Sequence, residues 1–350
     1  MGVSFHLASR VDAQRMTQFH NNYYGTRRAS SHWEWLYFGW RPENAVFAYA
    51  MNAEGQIIAT QGMVPYPISV DGQTVLSSKS ESTLMLPEGR GSGLMVDLYD
   101  FAFVAAVDRG SSVVWGFTDS DRAFQRFGFQ TFPIAHTYER RGRSLVRGAL
   151  GRLQAPDSAR HRFLSMSRHI HGMLTHRRLA SPPSAMVSTT TLSVDDARVA
   201  WCRLLSTSPV AGVQLSADHD YFDWRWGRNP TTDFEFLGSV SGDPLQGLAV
   251  VSRAAGRTVI SDVQTCDPED RPAVLAAVVA RLAPSTGAFR VFVNERAPAG
   301  LDGVALERLG FAHLSQTNLV VRAAPVTTLH SLDDPASWNF SYAWTEGIGA

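Results

Sequence analysis

The sequence predicts an α/β protein of the α+β type, with two tandem domains that each have a mixed, mainly antiparallel central sheet flanked by helices. Three observations support this prediction. Runs of β-prone residues joined by Asp-Gly and Glu-Gly turns precede a helical pattern, which indicates a meander followed by a helix. That order occurs twice along the chain, and 350 residues suffice for about two domains of ordinary size.

The composition limits the classes of function. Hydrophobic residues make up 44% of the chain and charged residues 18%, so the protein can bury a core. The formal net charge is zero, which argues against nucleic acid as a partner. Cys202 and Cys266 have neither disulfide nor metal-binding spacing, so we expect no metal.

No feature of the sequence predicts export or a membrane span. Residues 1–6 lack the basic stretch and apolar run of a signal peptide. No apolar run of the sequence approaches the roughly 18 residues that a spanning helix needs. We therefore expect a soluble, cytoplasmic protein that acts on a small molecule.

Four strands are predicted in the first half, at residues 45–51, 56–64, 67–76 and 78–86, with the Asp71-Gly72 turn inside the third. A helix over residues 92–108 follows, because four apolar residues fall on one face at helical spacing: Leu94, Leu98, Phe101 and Ala105. A short strand and a short helix complete the unit, at residues 113–117 and 121–127.

Three motifs of the first half have counterparts in the second half. They are Trp33-Glu34-Trp35 with Trp224-Arg225-Trp226, Pro87-Glu88-Gly89-Arg90 with Pro268-Glu269-Asp270-Arg271, and Arg126-Phe127-Gly128-Phe129 with Arg308-Leu309-Gly310-Phe311. Matching order and context indicate duplication of one α/β unit. The predicted domains are an N-terminal domain at residues 1–150, a connector at 151–195, a degenerate second domain at 196–325 and an aromatic tail at 326–350.

The connector and the tail have unusual compositions. Residues 140–178 contain ten arginines and one acidic residue, Asp157, which fits either a solvated connector or a grip on an anionic partner. The tail is rich in aromatic residues, so we expect it to dock on the body of the protein. These residues are Trp338, Phe340, Tyr342 and Trp344.

The segment Glu88-Gly89-Arg90-Gly91-Ser92-Gly93 lies between a predicted strand and a predicted helix. Glycines there let the backbone approach a ligand, and the helix start supplies unpaired N–H groups and a partial positive charge. That combination binds phosphates, so a pyrophosphate is the natural ligand. The spacing of these glycines fits neither the dinucleotide-binding motif G-x-G-x-x-G nor the Walker loop of nucleotide-binding proteins.

This pattern resembles the GNAT superfamily of acyl-CoA N-acyltransferases. The resemblance rests on a strand, Pro-Glu-x-Arg-Gly-x-Gly-Leu, a helix, a strand and Arg-Phe-Gly-Phe, and it implies that the loop cradles the pyrophosphate of coenzyme A. Glu88 stands where the family has Gln or Arg. The implied coenzyme-binding residues are Leu84, Met85 and Leu86 on the strand, then Glu88, Gly89, Arg90, Gly91, Ser92, Gly93 and Leu94, and Phe124.

Acyl transfer requires a neutral amine, so a base must remove a proton directly or through water. Glu81, on the strand that leads into the loop, is a candidate for this base or for a ligand of the amine. The alternative is a structural ion pair with Lys79, the only lysine of the chain, on the same strand face. Relatives use a tyrosine four residues before Gly-Phe to protonate the leaving thiolate, and Phe124 replaces it here.

The GNAT superfamily builds its acceptor lid before the first strand, so the resemblance implies acceptor contacts at Tyr23, Tyr24 and His32, whose rings could stack on a sugar. The nearby Trp33 and Trp35 fit helix packing at least as well. The second copy has Pro272 and Val274 in place of the two loop glycines. Because proline lacks an N–H and valine crowds the backbone, we expect the second copy to bind no coenzyme.

The predicted function is therefore transfer of an acetyl or other short acyl group from acyl-CoA, with acetyl-CoA as co-substrate, to a primary amine. Analogy with relatives favours an amino sugar or a related small molecule as acceptor. Two alternatives stay open at this point. One is an aminoacyl-tRNA-dependent transferase of similar tandem fold, and the other is a non-catalytic protein that binds coenzyme A or serves as a scaffold.

Overall fold

A computed structural model describes residues 2–141, 188–207, 211–240, 245–254, 256–285, 287–297, 301–325, 327 and 329–345. The arginine-rich part of the predicted connector, to residue 187, lies outside the described residues. By its internal contacts the chain divides into two units. Unit 1 contains Met1–Ile134, Ala211–Thr231 and Thr317–Pro335, and unit 2 contains Ala135–Val210, Thr232–Gln316 and Ala336–Ala350.

The strands, in chain order, are β1 (Ser4–Leu7), β2 (Val46–Met51), β3 (Ile57–Val70), β4 (Gln73–Met85), β5 (Val113–Thr118), β6 (Gln130–Arg141), β7 (Ser188–Leu192), β8 (Val213–Leu215), β9 (Phe234–Val240), β10 (Gly247–Ala254), β11 (Arg257–Thr265), β12 (Ala288–Asn294) and β13 (Ala312–Ala323). The α-helices are α1 (Ala13–Tyr24), α2 (Ser30–Phe38), α3 (Leu94–Asp108), α4 (Asp121–Arg126), α5 (Val194–Thr207), α6 (His219–Phe222), α7 (Arg271–Leu282) and α8 (Gly303–Arg308).

The sheet of unit 1 has the order β1, β2, β3, β4, β5 and the C-terminal half of β13, and β8 pairs with the end of β3. All these pairs are antiparallel except β4 with β5. In unit 2 the C-terminal half of β6 is followed by β12, β11, β10, β9 and β7, and only β11 with β12 is parallel. The predicted mixed, mainly antiparallel sheet flanked by helices is therefore confirmed.

β3 is a single strand where the sequence predicts two. The sequence predicts a break after residue 64 and a turn at Asp71-Gly72 inside the predicted strand 67–76. In the structure β3 runs without a break to Val70, and this turn joins β3 to β4. Pro65 and Pro67 lie in β3 at a stretch of its described edge that neither β2 nor β8 covers. Because proline lacks an N–H, this uncovered edge accommodates both residues.

α3 packs on the sheet of unit 1 through a stripe of small and apolar side chains. Leu94 and Leu98 are buried as predicted, but the stripe continues through Ala102 and Ala106 and not through the predicted Phe101 and Ala105, which are only partly buried. The small alanine side chains allow close approach of the helix to the sheet.

Two tryptophans form a reciprocal pair within unit 1. The rings of Trp35 and Trp224 stack with centroids 5.1 Å apart, and each indole N–H donates to the carbonyl oxygen of the other residue at 2.8 Å. Trp40 and Tyr221 pack around the pair. Trp35 therefore packs in the core, which agrees with the packing alternative for this residue.

The described part of the aromatic tail docks within unit 2, as the sequence predicts. Its four aromatic side chains are buried: Trp338, Phe340, Tyr342 and Trp344. The amide of Asn294, at the end of β12, donates to the carbonyl oxygen of Trp338 at 2.7 Å. Among the described residues, no helix has the length and apolar character of a membrane-spanning segment.

A β-bulge interrupts β4 at Ser82, where the register with β3 shifts between Thr60 and Gly62. Ser82 has φ +57°, a left-handed conformation that non-glycine residues seldom adopt. Tyr37 of α2 donates its hydroxyl proton to Ser82 Oγ at 2.9 Å, and Thr60 donates to the Ser82 carbonyl oxygen at 2.9 Å. These two hydrogen bonds fix the bulge.

Gly62→Ala should disrupt this bulge, because the new methyl group would overlap the Tyr37 hydroxyl. We expect a loss of about 1–3 kcal/mol in the free energy of unfolding, measured by urea denaturation. Tyr37→Phe removes the hydroxyl oxygen, which lies nearest to the new methyl group, while two ring carbons of residue 37 remain at 2.6 and 2.8 Å. The loss in the double variant should therefore be smaller than the sum of the two single losses. Strict additivity of the two losses would contradict this account of the bulge.

Candidate functional site

The predicted phosphate loop joins β4 to α3 in unit 1. A single 3-10 turn, Pro87–Gly89, ends β4, and Gly91 and Gly93 have φ angles of +80° and +82°. These left-handed conformations suit glycine, and open space lies where the Cβ atom of either residue would be. Ser92 Oγ donates to the Gly89 carbonyl oxygen at 2.7 Å and closes the loop.

α3 begins directly after this loop, with Gly93 as its N-cap. The first turn of a helix presents unpaired N–H groups and the positive end of the helix dipole. The loop therefore combines open backbone, positive potential and space for a ligand. A pyrophosphate fits this arrangement, because its oxygens accept from backbone N–H groups and need no side chain between them.

β4 and β5 separate on the approach to the loop. Their parallel register covers Ser77–Lys79 of β4 and Val113–Trp115 of β5, and no further pairing between these two described strands follows. The last close approach is at Gly116, whose Cβ would lie 3.2 Å from the Ser80 carbonyl oxygen. β4 continues to Met85, so its edge beyond Lys79 is open to an extended ligand on this side.

Comparison with known proteins finds a family match over the part of the chain that contains this loop and the two separated strands. Residues 5–132 match the family model of the acetyltransferase (GNAT) domain. This match ends just inside β6 and contains the loop, both separated strands and α1 to α4. No curated protein sequence matches the chain.

Solved structures similar to the whole fold carry related descriptions. A probable N-acyltransferase of Enterococcus faecalis has a TM-score of 0.65 at 10% identity, with 92% of this chain and 73% of that chain covered. A GCN5-related N-acetyltransferase of Anabaena variabilis has a TM-score of 0.62 at 13% identity, with 92% of this chain and 73% of that chain covered. A GCN5-related N-acetyltransferase of Kribbella flavida has a TM-score of 0.61 at 11% identity, with 92% of this chain and 71% of that chain covered. At identities this low, the TM-scores show a shared fold.

In the GNAT domain, the strand residues Leu84, Met85 and Leu86 lead straight into the loop. The Leu86 N–H donates to the Ile58 carbonyl oxygen at 2.9 Å, so β3 holds the end of this segment from one side. Met85 and Leu94 pack closely around Gly89, whose Cβ would lie 3.1 Å from Met85 Cγ. The loop therefore rests on a packed base while its glycine face stays open.

Phe124 of α4 lies in an aromatic cluster of the GNAT domain. Its ring contacts Tyr99, Phe127 and Phe129, with centroids 5.3–5.6 Å apart. The Tyr99 hydroxyl lies 2.5 Å from Ser80 Oγ and 3.2 Å from Thr83 Oγ1. Burial raises the pKa of Tyr99 well above its usual range, so this hydroxyl stays protonated.

Glu81 forms an ion pair with Lys79, which is the alternative that the sequence leaves open for it. The Lys79 side chain is 1% exposed and that of Glu81 is 23% exposed. The carboxylate therefore stands between a buried cation and the exterior. Residues two apart in a strand share a face, which explains how the chain brings them together.

The predicted acceptor residues fall into two places. Tyr23 and Tyr24, at the end of α1, are 39% and 57% exposed, and Arg90 of the loop donates to the Tyr23 hydroxyl at 3.1 Å. His32 of α2 is half-buried, and its ring contacts Trp33 and Trp35. The structure thus joins Tyr23 to the glycine loop before α3 and gives His32 packing partners inside α2.

The bulge residues Ser82 and Thr60, and the residues that hold them, are functional candidates that sequence reasoning missed. His20 of α1 is buried, and its Nε2 lies 3.1 Å from Thr60 Oγ1. One signal for the bulge was present: a glycine, Gly62, inside a strand run marks a bulge or a close backbone approach.

The counterpart loop of unit 2 differs from its prediction. α7 begins at Arg271, directly after the 3-10 turn Pro268–Asp270, so no glycine segment separates the two. Val274 does not crowd a ligand as predicted, because it is buried in α7 towards Gly247. A cavity of about 470 Å³ borders this start, and its lining includes two acidic residues, Glu269 and Asp302, and one arginine, Arg308. The net negative charge of this lining disfavours phosphate there.

Proposed function

We propose that the chain is an N-acyltransferase that moves an acetyl or other short acyl group from acyl-CoA to a primary amine. The observation that carries this proposal is the pair of left-handed glycines, Gly91 and Gly93, with open space before them at the start of α3. The separated β4 and β5 next to this loop add an open backbone edge. The match of residues 5–132 to the acetyltransferase (GNAT) domain supports the same reaction.

The proposed coenzyme contacts follow from these features. The backbone of Leu84–Leu86 pairs with the pantetheine arm, and the N–H groups of Arg90–Leu94 hold the pyrophosphate. Phe124 packs along the arm. When bound, acyl-CoA supplies the acyl group as a thioester, and the protein supplies position and orientation. Tyr99, whose hydroxyl contacts Ser80 and Thr83, keeps this side of β4 in place.

Glu81 is the proposed base or ligand of the acceptor amine. Its carboxylate is held by Lys79 on one side and is partly exposed on the other. Tyr23 and Tyr24 offer exposed rings for an amino sugar or a related small molecule, the acceptor class that we propose. His32 is proposed to act only through the packing of α2.

We also propose that unit 2 is a degenerate copy of the GNAT domain and serves as a scaffold. Both units place a parallel strand pair, a 3-10 turn and a long helix in the same order. Gly128 and Gly310 have matching φ angles of +78° and +80° after their short helices. Residues 5–132 alone are then the coenzyme-binding part.

Gly91→Val should abolish coenzyme binding, because its side chain would occupy the open space where the pyrophosphate is proposed to lie. Calorimetric titration with acetyl-CoA measures this directly. The strain of a side chain at positive φ is a separate effect that needs its own control.

Gly55→Val supplies that control. Gly55 has φ +74° and open space around its Cβ position, but it lies in the turn between β2 and β3. Its replacement should lower stability by a similar amount and leave acetyl-CoA affinity unchanged. Equal loss of affinity in both variants, or wild-type affinity in Gly91→Val, would contradict the proposed role of the loop.

The same titration should give one coenzyme per chain. The reason is the absence of a glycine segment between Pro268–Asp270 and α7, together with carboxylates at the neighbouring cavity. Two equivalents per chain would show that unit 2 also binds coenzyme. Coenzyme binding without acyl transfer to any amine would favour the non-catalytic alternative.

Glu81→Gln should lower turnover by about ten- to ten-thousand-fold if Glu81 is the base, in the range usual for a lost general base. Acetyl-CoA affinity should stay unchanged, because the loop is intact. The variant also removes the carboxylate partner of buried Lys79, so a lower melting temperature is expected. A destabilised variant with normal turnover per folded molecule would leave Glu81 only its structural role.

A further inference from the structure

Four exposed side chains form a patch beside the coenzyme loop, here called the arginine–tyrosine patch: Tyr23, Tyr24, Arg28 and Arg90. The rings of Tyr23 and Tyr24 meet edge to face with centroids 4.9 Å apart. Arg90 donates to the Tyr23 hydroxyl at 3.1 Å and ties the coenzyme loop to the end of α1. The proposed acyl transfer assigns no role to the positive charge of this patch or to the ordered turn of residues 25–28.

The segment that carries Arg28 is held in one conformation by Asn21. Asn21 Oδ1 accepts from the Arg28 N–H at 3.0 Å and from the Thr26 hydroxyl at 2.8 Å, and its Nδ2 donates to the Arg28 carbonyl oxygen at 2.9 Å. Gly25, at φ +64°, ends α1 and starts this turn. A ligand therefore meets an ordered backbone, which lowers the entropy cost of binding.

Neither arginine of the patch forms a salt bridge: among the described residues, no carboxylate is paired within 4.0 Å with the guanidinium of Arg28 or Arg90. Burial and then the Arg28 charge lower the pKa of His20 to about 4. Burial and Tyr23 raise the pKa of Tyr24, while Arg28 opposes that rise. Arg28 is the cation that acts on both neighbours.

The patch lies next to residues that hold the β4 bulge. The ring of Tyr24 lies one helical turn after His20 at a centroid distance of 6.1 Å, and His20 contacts Thr60, which donates to the carbonyl oxygen of Ser82. On its other side the patch reaches Arg90 of the coenzyme loop through Tyr23. These contacts link the patch both to the coenzyme loop and to the strand that carries Glu81, the proposed base.

We propose that the arginine–tyrosine patch binds a carboxylate or phosphate carried by the acceptor, so that the acceptor is an anionic primary amine. This inference rests on the proposed acyl transfer and names its substrate class. Guanidinium groups bind such oxyanions through two parallel hydrogen bonds, and ordered tyrosine rings add a flat contact surface. Arg28, whose backbone Asn21 holds, supplies the positive charge for this recognition.

Matched acceptor pairs test this inference on the full chain. Glucosamine 6-phosphate with glucosamine, and β-alanine with β-alaninamide, differ mainly in the anionic group, and release of free thiol from acetyl-CoA reports turnover. The wild type should prefer the anionic member of at least one pair. Arg28→Gln should raise KM for that acceptor about tenfold or more and leave its neutral match unchanged.

Arg228→Gln is the matched control, because Arg228 is an exposed arginine of unit 1 outside the patch and its loss should change neither KM. A wild type that turns over neutral and anionic amines equally would overturn the inference while leaving acyl transfer intact. Failure of the wild type to bind acetyl-CoA would overturn the proposed function and this inference with it.

A second experiment distinguishes whether the anionic group that binds the patch belongs to the acceptor or to the coenzyme. Affinities for acetyl-CoA and for its 3′-dephospho form are measured by calorimetry on the wild type and Arg28→Gln. We expect Arg28→Gln to leave both affinities unchanged. If the variant weakens only the fully phosphorylated coenzyme, the patch binds the coenzyme's phosphate and the assignment to the acceptor is wrong.

Discussion

The bulge at Ser82 is the constraint on which the candidate site depends. A non-glycine residue at φ +57° costs about 1–3 kcal/mol, so neighbouring contacts must offset that cost. Hydrogen bonds from Tyr37 and Thr60 do so, and His20 braces Thr60. Because a bulge bends its strand, β4 leaves β5 after Lys79 and exposes the edge that the proposed coenzyme would pair with.

The same bulge connects two parts of the site that lie far apart in sequence. Helices α1 and α2 reach it through His20 and Tyr37, and α3 reaches the flanking residues through the Tyr99 hydroxyl. The loop glycines at the start of α3 therefore have a defined position relative to the end of α1. That relation gives Arg90 its contact with Tyr23 and gives the exposed arginines a common surface.

Local patterns made the left-handed glycines Gly91 and Gly93 and the helix α3 predictable, because glycine conformation and helical periodicity depend on neighbours in the chain. The bulge was not predictable in the same way, since it needs Tyr37 beside Gly62. Residues from the end of the chain complete the sheet of unit 1, where Asn318–Ala323 of β13 pair with β5. No local pattern reports such a distant partner, so sequence reasoning described the domains as continuous segments.

The buried hydroxyl of Tyr99 does not replace the tyrosine that the resemblance to the GNAT superfamily leads one to expect at Phe124. Phe124 has no proton to give a leaving thiolate, and Tyr99 beside it is engaged with Ser80 and Thr83. Burial raises the pKa of Tyr99, which suits it as a fixed hydrogen-bond donor and not as a base. These contacts favour a reaction that depends on positioning more than on an internal acid. The proposed base, Glu81, is held by Lys79 on the same strand.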